Sequence, residues 1–277
     1  MVRRRFGLSV GLLGAAALVA GCGSSSGGSK SAPVPAKPSQ GGSQTMSADT
    51  GARLSVRSPA PGSVITGHEV PFDVRLSNFR VACRFAGTPD RAGIGHYHVE
   101  LDGSLINMFC RDRDRVSLQN VAAGKHTLQF FPATNEHVDD MKAEKKVSFT
   151  YRPTSPLKQI SGESRPGKPS IRILSPKPGS TVHGSFDLVV RPRNFEFSCA
   201  LYGKKNVPGY GHWHANVDST NKGMMGMATM LGMSCQRSFH VSLAGIKPGP
   251  HTFFAILEDN QHAPTPGAQA AVRLNVR

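Results

Sequence analysis

The sequence Ile-Gly-His-Tyr-His-Val-Glu-Leu-Asp, residues 94–102, returns in modified form as Tyr-Gly-His-Trp-His-Ala-Asn-Val-Asp, residues 210–218. In both segments polar and apolar side chains alternate, which is the pattern of a β-strand that buries one face. The histidines share one face with the other polar residues, and the aromatic and aliphatic residues share the opposite face. Because the apolar face belongs in a core, we expect both histidine pairs to point outward from their domain.

These two segments belong to an internal repeat that covers most of the chain, at a spacing of 116–117 residues that widens to 125 after a nine-residue insertion in the second copy. The matching motifs are 58–63 with 175–180, 78–79 with 194–195, 108–110 with 233–235, 124–127 with 249–252, and 135–137 with 260–262. A repeat of about 100 residues is too long for a solenoid unit, so each copy is predicted to be a domain.

Within each copy, short alternating runs are separated by turn residues. In the first copy the candidate strands are 53–56, 70–76, 97–101, 116–118, 126–131 and 146–151. The chain contains 30 glycines and 20 prolines, which interrupt every apolar stretch, and no heptad repeat is present. Both features argue against a coiled coil or a helical bundle. The pattern predicts an all-β protein of two tandem immunoglobulin-like antiparallel β-sandwich domains.

The predicted domains are 51–152 and 170–277. Residues 153–169 are expected to be a linker, and residues 22–50, rich in Gly, Ser and Pro, a flexible tether. No apolar run of membrane-spanning length follows the N-terminus, which excludes a polytopic membrane protein.

The N-terminus has the pattern of an export signal. Three arginines, at positions 3–5, precede an apolar stretch over 8–20, and Ala20-Gly21-Cys22 follows. These residues resemble the lipobox of bacterial lipoproteins. The resemblance implies that 1–21 is a cleaved signal peptide, that Cys22 is lipidated, and that the protein lies on the outer face of the bacterial cell membrane. The alternative is an ordinary secretory signal with an incidental cysteine.

The formal net charge of +15 comes from Lys and Arg that are scattered along the chain. An exported basic protein is weakly attracted to anionic lipid or wall polymer, so the membrane and an envelope protein or wall polymer are the expected partners. Nucleic acid is not an expected partner, because the chain is exported and has no nucleic-acid-binding motif.

Four cysteines remain besides Cys22, two in each copy. An exported protein folds in an oxidising compartment, which favours disulfides. Four cysteines allow three pairings, and the repeat favours Cys83 with Cys110 and Cys199 with Cys235. The alternative is that the thiolates are metal ligands.

The histidines are the candidate chemistry. Two imidazoles at positions i and i+2 of a strand lie about 6.5–7 Å apart at Cα, from which both can reach one metal ion. A late Asn-x-His motif adds a third histidine, and a methionine in each copy adds a soft sulfur that favours copper. The predicted ligands are His96, His98, His137 and Met108 in the first copy, and His212, His214, His262 and Met233 in the second. Alternatively, these histidines hydrogen-bond loops at one end of the sandwich. A structural role is expected for His126 and His251.

The insertion in the second copy is rich in methionine. It contains Met224, Met225, Met227, Met230 and Met233. Thioethers select Cu(I), so this segment is a second candidate copper site. The alternative is that the methionines form a stripe on a short helix, as adaptable packing or a partner-contact surface.

The order Gly-His-x-His, Asp, Gly-x-His-Thr and Asn-x-His resembles an uncharacterised family of exported bacterial domains, over about 60 residues of each copy. That family has a third histidine between the two strand histidines, where this chain has Tyr97 or Trp213. The resemblance supports the fold and the histidine cluster and implies no function.

The sequence thus favours a non-catalytic lipoprotein that binds copper, or another transition metal, for sequestration or hand-over. The alternative is an envelope interaction module for protein or glycan without metal. No Gly-x-Ser-x-Gly motif, His-Glu-x-x-His motif or catalytic triad can be identified, so we do not expect an enzyme.

Overall fold

The structure is a computed structural model that describes residues 47–162 and 166–277. The predicted signal peptide, Cys22 and most of the predicted tether therefore lie outside the described residues. Both repeats belong to one compact unit. No helix in the described ranges is long and apolar enough to span a membrane.

The first repeat forms two sheets. Its strands are β1 (Arg53–Ser58), β2 (Ser63–Ile65), β3 (Glu69–Ser77), β4 (Arg80–Val81), β5 (Ile94–Leu101), β6 (Ser104–Phe109), β7 (Arg113–Ser117), β8 (Gly124–Ala133) and β9 (Lys145–Tyr151). One sheet has the order β1-β3-β7, and the other has the order β2-β9-β8-β5-β4 with β6 paired to β5.

The second repeat reproduces this topology. Its strands are β10 (Ser170–Ser175), β11 (Thr181–Val182), β12 (Ser185–Arg193), β13 (Glu196–Phe197), β14 (Tyr210–Val217), β15 (Met230–Ser234), β16 (Ser238–Ser242), β17 (Gly249–Glu258) and β18 (Pro264–Val276). Its sheets have the orders β10-β12-β16 and β11-β18-β17-β14-β13, with β15 paired to β14. The predicted all-β architecture of two tandem sandwiches is confirmed.

The helical segments of the described chain are short 3-10 turns. They are Cys83–Phe85, Met141–Ala143, Cys199–Leu201 and Met224–Thr229. The methionine-rich insertion is therefore one 3-10 helix followed by strand β15, and a single helical stripe of methionines does not form, since a 3-10 helix seldom extends beyond a few residues.

Each repeat has a hydrophobic core between its two sheets. Tyr97 and Val99 of β5 are fully buried in the first core, and Trp213 and Ala215 of β14 are buried in the second. The apolar faces of the two repeated strands thus pack as their alternation predicts. The first core also takes up side chains from the second repeat, namely Tyr202, Met230 and Met233.

The two predicted disulfides are present. Cys83 is bonded to Cys110, with Cα atoms 5.6 Å apart, and Cys199 to Cys235, with Cα atoms 5.1 Å apart. Each joins the first residue of a 3-10 turn to the segment just after the strand paired with the histidine strand. Because both sulfurs of each pair are in a disulfide, these cysteines are not thiolate ligands.

Segments that the sequence assigned to the tether and linker pack on the first repeat. Thr50 donates from its N–H and its Oγ1 to Oδ2 of Asp140, at 2.9 and 2.7 Å. In the linker, Ile160 donates its N–H to Oδ1 of Asn120 and accepts from Nδ2 of the same residue. The domain boundaries themselves stay a prediction.

Candidate metal centre

The two strand histidines of the first repeat converge with His137 on one point. Nε2 of His96 lies 3.0 Å from Nε2 of His98 and 3.0 Å from Nδ1 of His137, and the last two atoms are 3.2 Å apart. His137 reaches this point from the loop after β8, because β8 pairs with β5 and ends opposite His96. These three histidines are called triad 1 below.

The second repeat contains the same arrangement. Nε2 of His212 lies 3.0 Å from Nε2 of His214 and 3.0 Å from Nδ1 of His262, and the last two atoms are 3.3 Å apart. These residues are called triad 2. In a tetrahedral zinc-like site with ligands at about 2.0–2.1 Å, the ligand atoms lie about 3.3 Å from one another. Both triads could therefore hold a metal ion.

The histidines do not face solvent. They leave the core of their own sandwich as their alternation predicts, but the other repeat covers them, and all six are buried. His96 and His212 are 0% exposed. The expectation that both pairs point outward from their own sandwich is confirmed. The burial of that face was not predicted, because nothing in one repeat alone indicates that a second repeat covers it.

Hydrogen bonds to groups outside triad 1 determine which nitrogens of His98 and His137 carry protons. Nε2 of His137 lies 2.8 Å from the carbonyl oxygen of Met230, which can only accept, so this nitrogen donates and Nδ1 keeps a free lone pair. Nδ1 of His98 lies 2.7 Å from Oδ1 of Asp139 and donates to it, which leaves the lone pair on Nε2. A single proton on Nε2 of His96 can satisfy only one of these lone pairs. A cation at the centre satisfies all three nitrogens.

Triad 2 is oriented in a related but unequal way. Nε2 of His262 lies 2.9 Å from the carbonyl oxygen of Leu105 and donates to it. The carboxyl group beside Nδ1 of His214 belongs to Glu258, and its Oε1 is 3.7 Å away, beyond hydrogen-bonding distance. The position that matches Asp139 is Pro264, so the second copy takes its carboxyl group from β17 instead.

Burial favours the neutral imidazole, which is the form that binds metals. The pKa of His137 is lowered to about 3, mainly by burial and further by His98. The pKa of His262 is lowered to about 4, also mainly by burial. The pKa values of His96, His212 and His214 are lowered well below the usual range by burial and by neighbouring histidines. These histidines are thus ready to bind at neutral pH without losing a proton.

Burial has the opposite effect on the carboxyl group of triad 2. The pKa of Glu258 is raised to about 9, first by burial and then by the charge of Asp259. Glu258 is therefore neutral at pH 7 and supplies no negative charge to His214, whereas Asp139 faces His98 at close range.

The predicted methionine ligands lie in different places, and Met233 both neighbours a triad histidine and packs in a core. Met108 pairs with His98 across β5 and β6, and Met233 pairs with His214 across β14 and β15, so each sulfur-bearing side chain shares a face with a triad histidine. Met230 and Met233 pack in the first hydrophobic core. Met227 lines a cavity described next, and the side chains of Met224 and Met225 lie outside the described residues.

A cavity of about 200 Å³ is lined by residues of both triads. Its lining includes His98 and Asp139 from the first repeat and His214, Met227 and His262 from the second. Histidines of both triads therefore border the same cavity.

Two other repeated histidines have structural partners. His126 contacts Oδ2 of Asp102 through Nδ1 and the carbonyl oxygen of Ala122 through Nε2. His251 does the same with Asp218 and the carbonyl oxygen of Lys247. These contacts fix the start of β8 and β17, in agreement with the structural role expected for both residues.

Sequence reasoning missed four groups around the triads. Asp139 was missed because the second copy has no acidic residue at the matching position. Glu258 was missed because an acidic residue at the end of a strand is not distinctive. The carbonyl groups of Leu105 and Met230 have no side-chain signature at all. Proximity to the Asn-x-His motif was the available signal for the two acidic residues.

Comparison of the sequence with family models and with curated proteins finds no match. Among solved structures, the chain is similar to the fibronectin(III)-like modules of Clostridium thermocellum CbhA, with 13% identity, a TM-score of 0.27, and coverage of 81% of this chain and 94% of that one. It is also similar to the four N-terminal Ig domains of Dscam1 isoform 4.44, with 10% identity, a TM-score of 0.22, and coverage of 83% and 47%. A tetra-tandem repeat from a large adhesion protein shows 9% identity, a TM-score of 0.22, and coverage of 80% and 48%. Likenesses this weak carry no argument about function, and the fold class rests on the sheets themselves.

Proposed function

We propose that this protein binds one transition-metal ion in each histidine triad and stores it or hands it over, without catalysing a reaction. The observation that carries this proposal is the convergence of three ring nitrogens within 3.2 Å of one another in triad 1. In His98 and His137 the other ring nitrogen donates a hydrogen bond, so the converging nitrogen has a free lone pair. Histidines that only supported loops would each direct both nitrogens to separate partners.

Copper is the proposed metal. Three imidazoles suit copper, zinc or nickel, and a thioether beside them favours copper over the harder ions. Met108 and Met233 share a face with His98 and His214, and Met227 lies in the cavity that reaches both triads. Calcium and magnesium are disfavoured because they prefer oxygen ligands.

We further propose that the protein is lipid-anchored through Cys22 on the outer face of the bacterial cell membrane. The lipobox-like sequence supports the anchor, and the two disulfides fit an oxidising compartment outside the cytoplasm. Mass spectrometry of the mature N-terminus tests this: a lipid-modified Cys22 is expected, and secretion of an unmodified chain would refute it.

The metal experiment is a titration of the chelator-treated protein with Cu(I), Cu(II) and Zn(II), with the bound ions counted after desalting. We expect two ions per chain. The single variants His98→Asn and His214→Asn should each bind one ion, and the double variant none. His240→Asn is the matched control, because His240 is exposed and paired with Asp187 outside both triads. Absence of uptake at micromolar metal would refute the proposal.

The alternative function, an envelope interaction module that binds protein or wall glycan without metal, would use exposed aromatic residues beside polar ones. The aromatic residues of the two histidine strands, Tyr97 and Trp213, are instead fully buried. Capture of an envelope component that is insensitive to chelator would favour the alternative, and capture that needs metal would favour hand-over to a partner.

A further inference from the structure

The third histidine of each triad is held by the opposite repeat. His137 belongs to the first repeat, and the carbonyl oxygen that fixes its ring is that of Met230 in the second, at 2.8 Å. His262 belongs to the second repeat, and its ring is fixed by the carbonyl oxygen of Leu105 in the first, at 2.9 Å. Each of these histidines is a loop residue with a positive φ, 61° and 63°. Neither ring is positioned by a regular strand.

The two accepting carbonyl groups occupy equivalent places in the repeats. Each lies where the ladder between the histidine strand and its hairpin partner shifts register, in β6 and in β15. A β-bulge turns a backbone group out of its own ladder and makes it available to another partner. The contact between the repeats is thus made twice, by the same elements in exchanged roles.

A glycine lets the backbones approach at both contacts. Gly87, at φ +71°, donates its N–H to the carbonyl of Asn135 at 2.8 Å, and a Cβ atom there would lie 2.7 Å from the carbonyl oxygen of Met230. Gly203, at φ +64°, donates to the carbonyl of Asn260 at 2.7 Å, and its Cβ would collide with the carbonyl oxygen of Leu105. A side chain at either position would push away the group that orients the third histidine.

We propose that each repeat completes the metal site of the other, so that both sites form only when the repeats are docked and bound metal holds the repeats together. Met230 and Leu105 act through their carbonyl groups as positioning residues for His137 and His262. The carbonyl fixes the tautomer that presents Nδ1 to the ion, and loss of such an outer partner weakens metal binding by about 10–100-fold. This inference rests on the proposed function.

The first test uses the full chain with Gly87→Ala or Gly203→Ala. Gly87→Ala should weaken the binding of the ion in triad 1, and Gly203→Ala that of the ion in triad 2, by about 10–100-fold. Binding of the other ion should be unchanged in each variant. Gly62→Ala and Gly179→Ala are matched controls, since both glycines have a similar positive φ, 77° and 78°, and open space around the added Cβ. Unchanged affinity for both ions in folded Gly87→Ala and Gly203→Ala proteins would overturn the inference.

The second test does not depend on the folding of these variants. A protease recognition sequence is placed at 163–165 in the full chain, and the protein is cleaved after purification. The association of the halves should be about 100-fold or more tighter with both sites loaded with Zn(II) or Cu(I) than in chelator, because each site contributes at least tenfold. Equal association with and without metal would overturn the inference. Failure of the uncleaved chain to bind any ion would instead overturn the proposed function.

Discussion

Asp139→Asn is expected to weaken metal binding at triad 1 and leave triad 2 unchanged. Oδ1 of Asp139 accepts a hydrogen bond from Nδ1 of His98, with the two atoms 2.7 Å apart. This charge-assisted hydrogen bond holds the ring and raises the basicity of Nε2. An asparagine of the same shape keeps an acceptor but removes the charge. The variant therefore isolates the electrostatic contribution of the carboxylate from its role in packing.

The expected loss of metal affinity in Asp139→Asn depends on how far this hydrogen bond is exposed to water. Loss of an outer-shell partner costs about 10–100-fold in metal affinity, or about 1.4–2.7 kcal/mol. The side chain of Asp139 is 27% exposed, so water replaces part of the lost interaction. We expect a value near the lower end, about 10–30-fold. Glu258→Gln at triad 2 should change affinity by less than about 3-fold, because Glu258 is 3.7 Å from His214 and, with its pKa raised to about 9, already neutral at pH 7.

The assay is a competition titration with a chromophoric chelator, monitored at pH 7.5 with Zn(II). Triad 1 is measured alone in a His214→Asn background, and triad 2 alone in a His98→Asn background. Asp114→Asn, on strand β7 in the sheet that does not contain the histidines, is the control for loss of one negative charge.

Three results would refute the reasoning. A change below about 3-fold for Asp139→Asn would mean that the carboxylate does not act through His98. An equal loss in Asp114→Asn would assign the effect to net charge. A larger loss for Glu258→Gln than for Asp139→Asn would reverse the predicted inequality of the two sites.

Further outcomes are expected from the same geometry. Saturating metal should stabilise the fold by about 2.7 kcal/mol per site when free metal is 100 times the Kd, and chelator should remove this gain in thermal unfolding; equal Tm values with and without metal would contradict it. Without metal, the free energy of unfolding should fall as pH drops below about 6.5. The histidines of the unfolded chain then bind protons, whereas the buried histidines of the folded chain, whose pKa values are lowered, do not. For His262, with a folded pKa of about 4, the loss is about 2 kcal/mol at pH 5. Denaturant unfolding at pH 7.5 and 5 checks this, with a smaller pH effect expected in His262→Asn than in His240→Asn. Replacing Cys83 and Cys110 by alanine should cost about 3.5 kcal/mol, since the bond closes a loop with a sequence separation of 27 residues; an unchanged denaturation midpoint would show that the loop is restrained by other contacts.

The alternation and the repeat in the sequence were sufficient for much of this protein. Alternation over 94–102 and 210–218 determined which side chains enter the cores, since the two-residue period of a strand allows one assignment once an apolar face exists. The repeat also favoured the disulfide pairing that the structure shows, because equivalent cysteines occupy equivalent places in two copies of one fold. The convergence of His137 with the strand histidines could be anticipated from its place after β8, the neighbour of β5.

Contacts between elements distant in sequence were decided only by the tertiary structure. The burial of both triads depends on the second repeat covering the first, and a backbone carbonyl such as that of Met230 or Leu105 carries no side-chain signal that a sequence could reveal. The role of the methionines was also set by tertiary packing, because an apolar, flexible side chain suits a core as well as a metal site. The sequence therefore determined the fold and the candidate ligands, while the docking of two similar surfaces decided the burial, the proton positions and the inequality of the two sites.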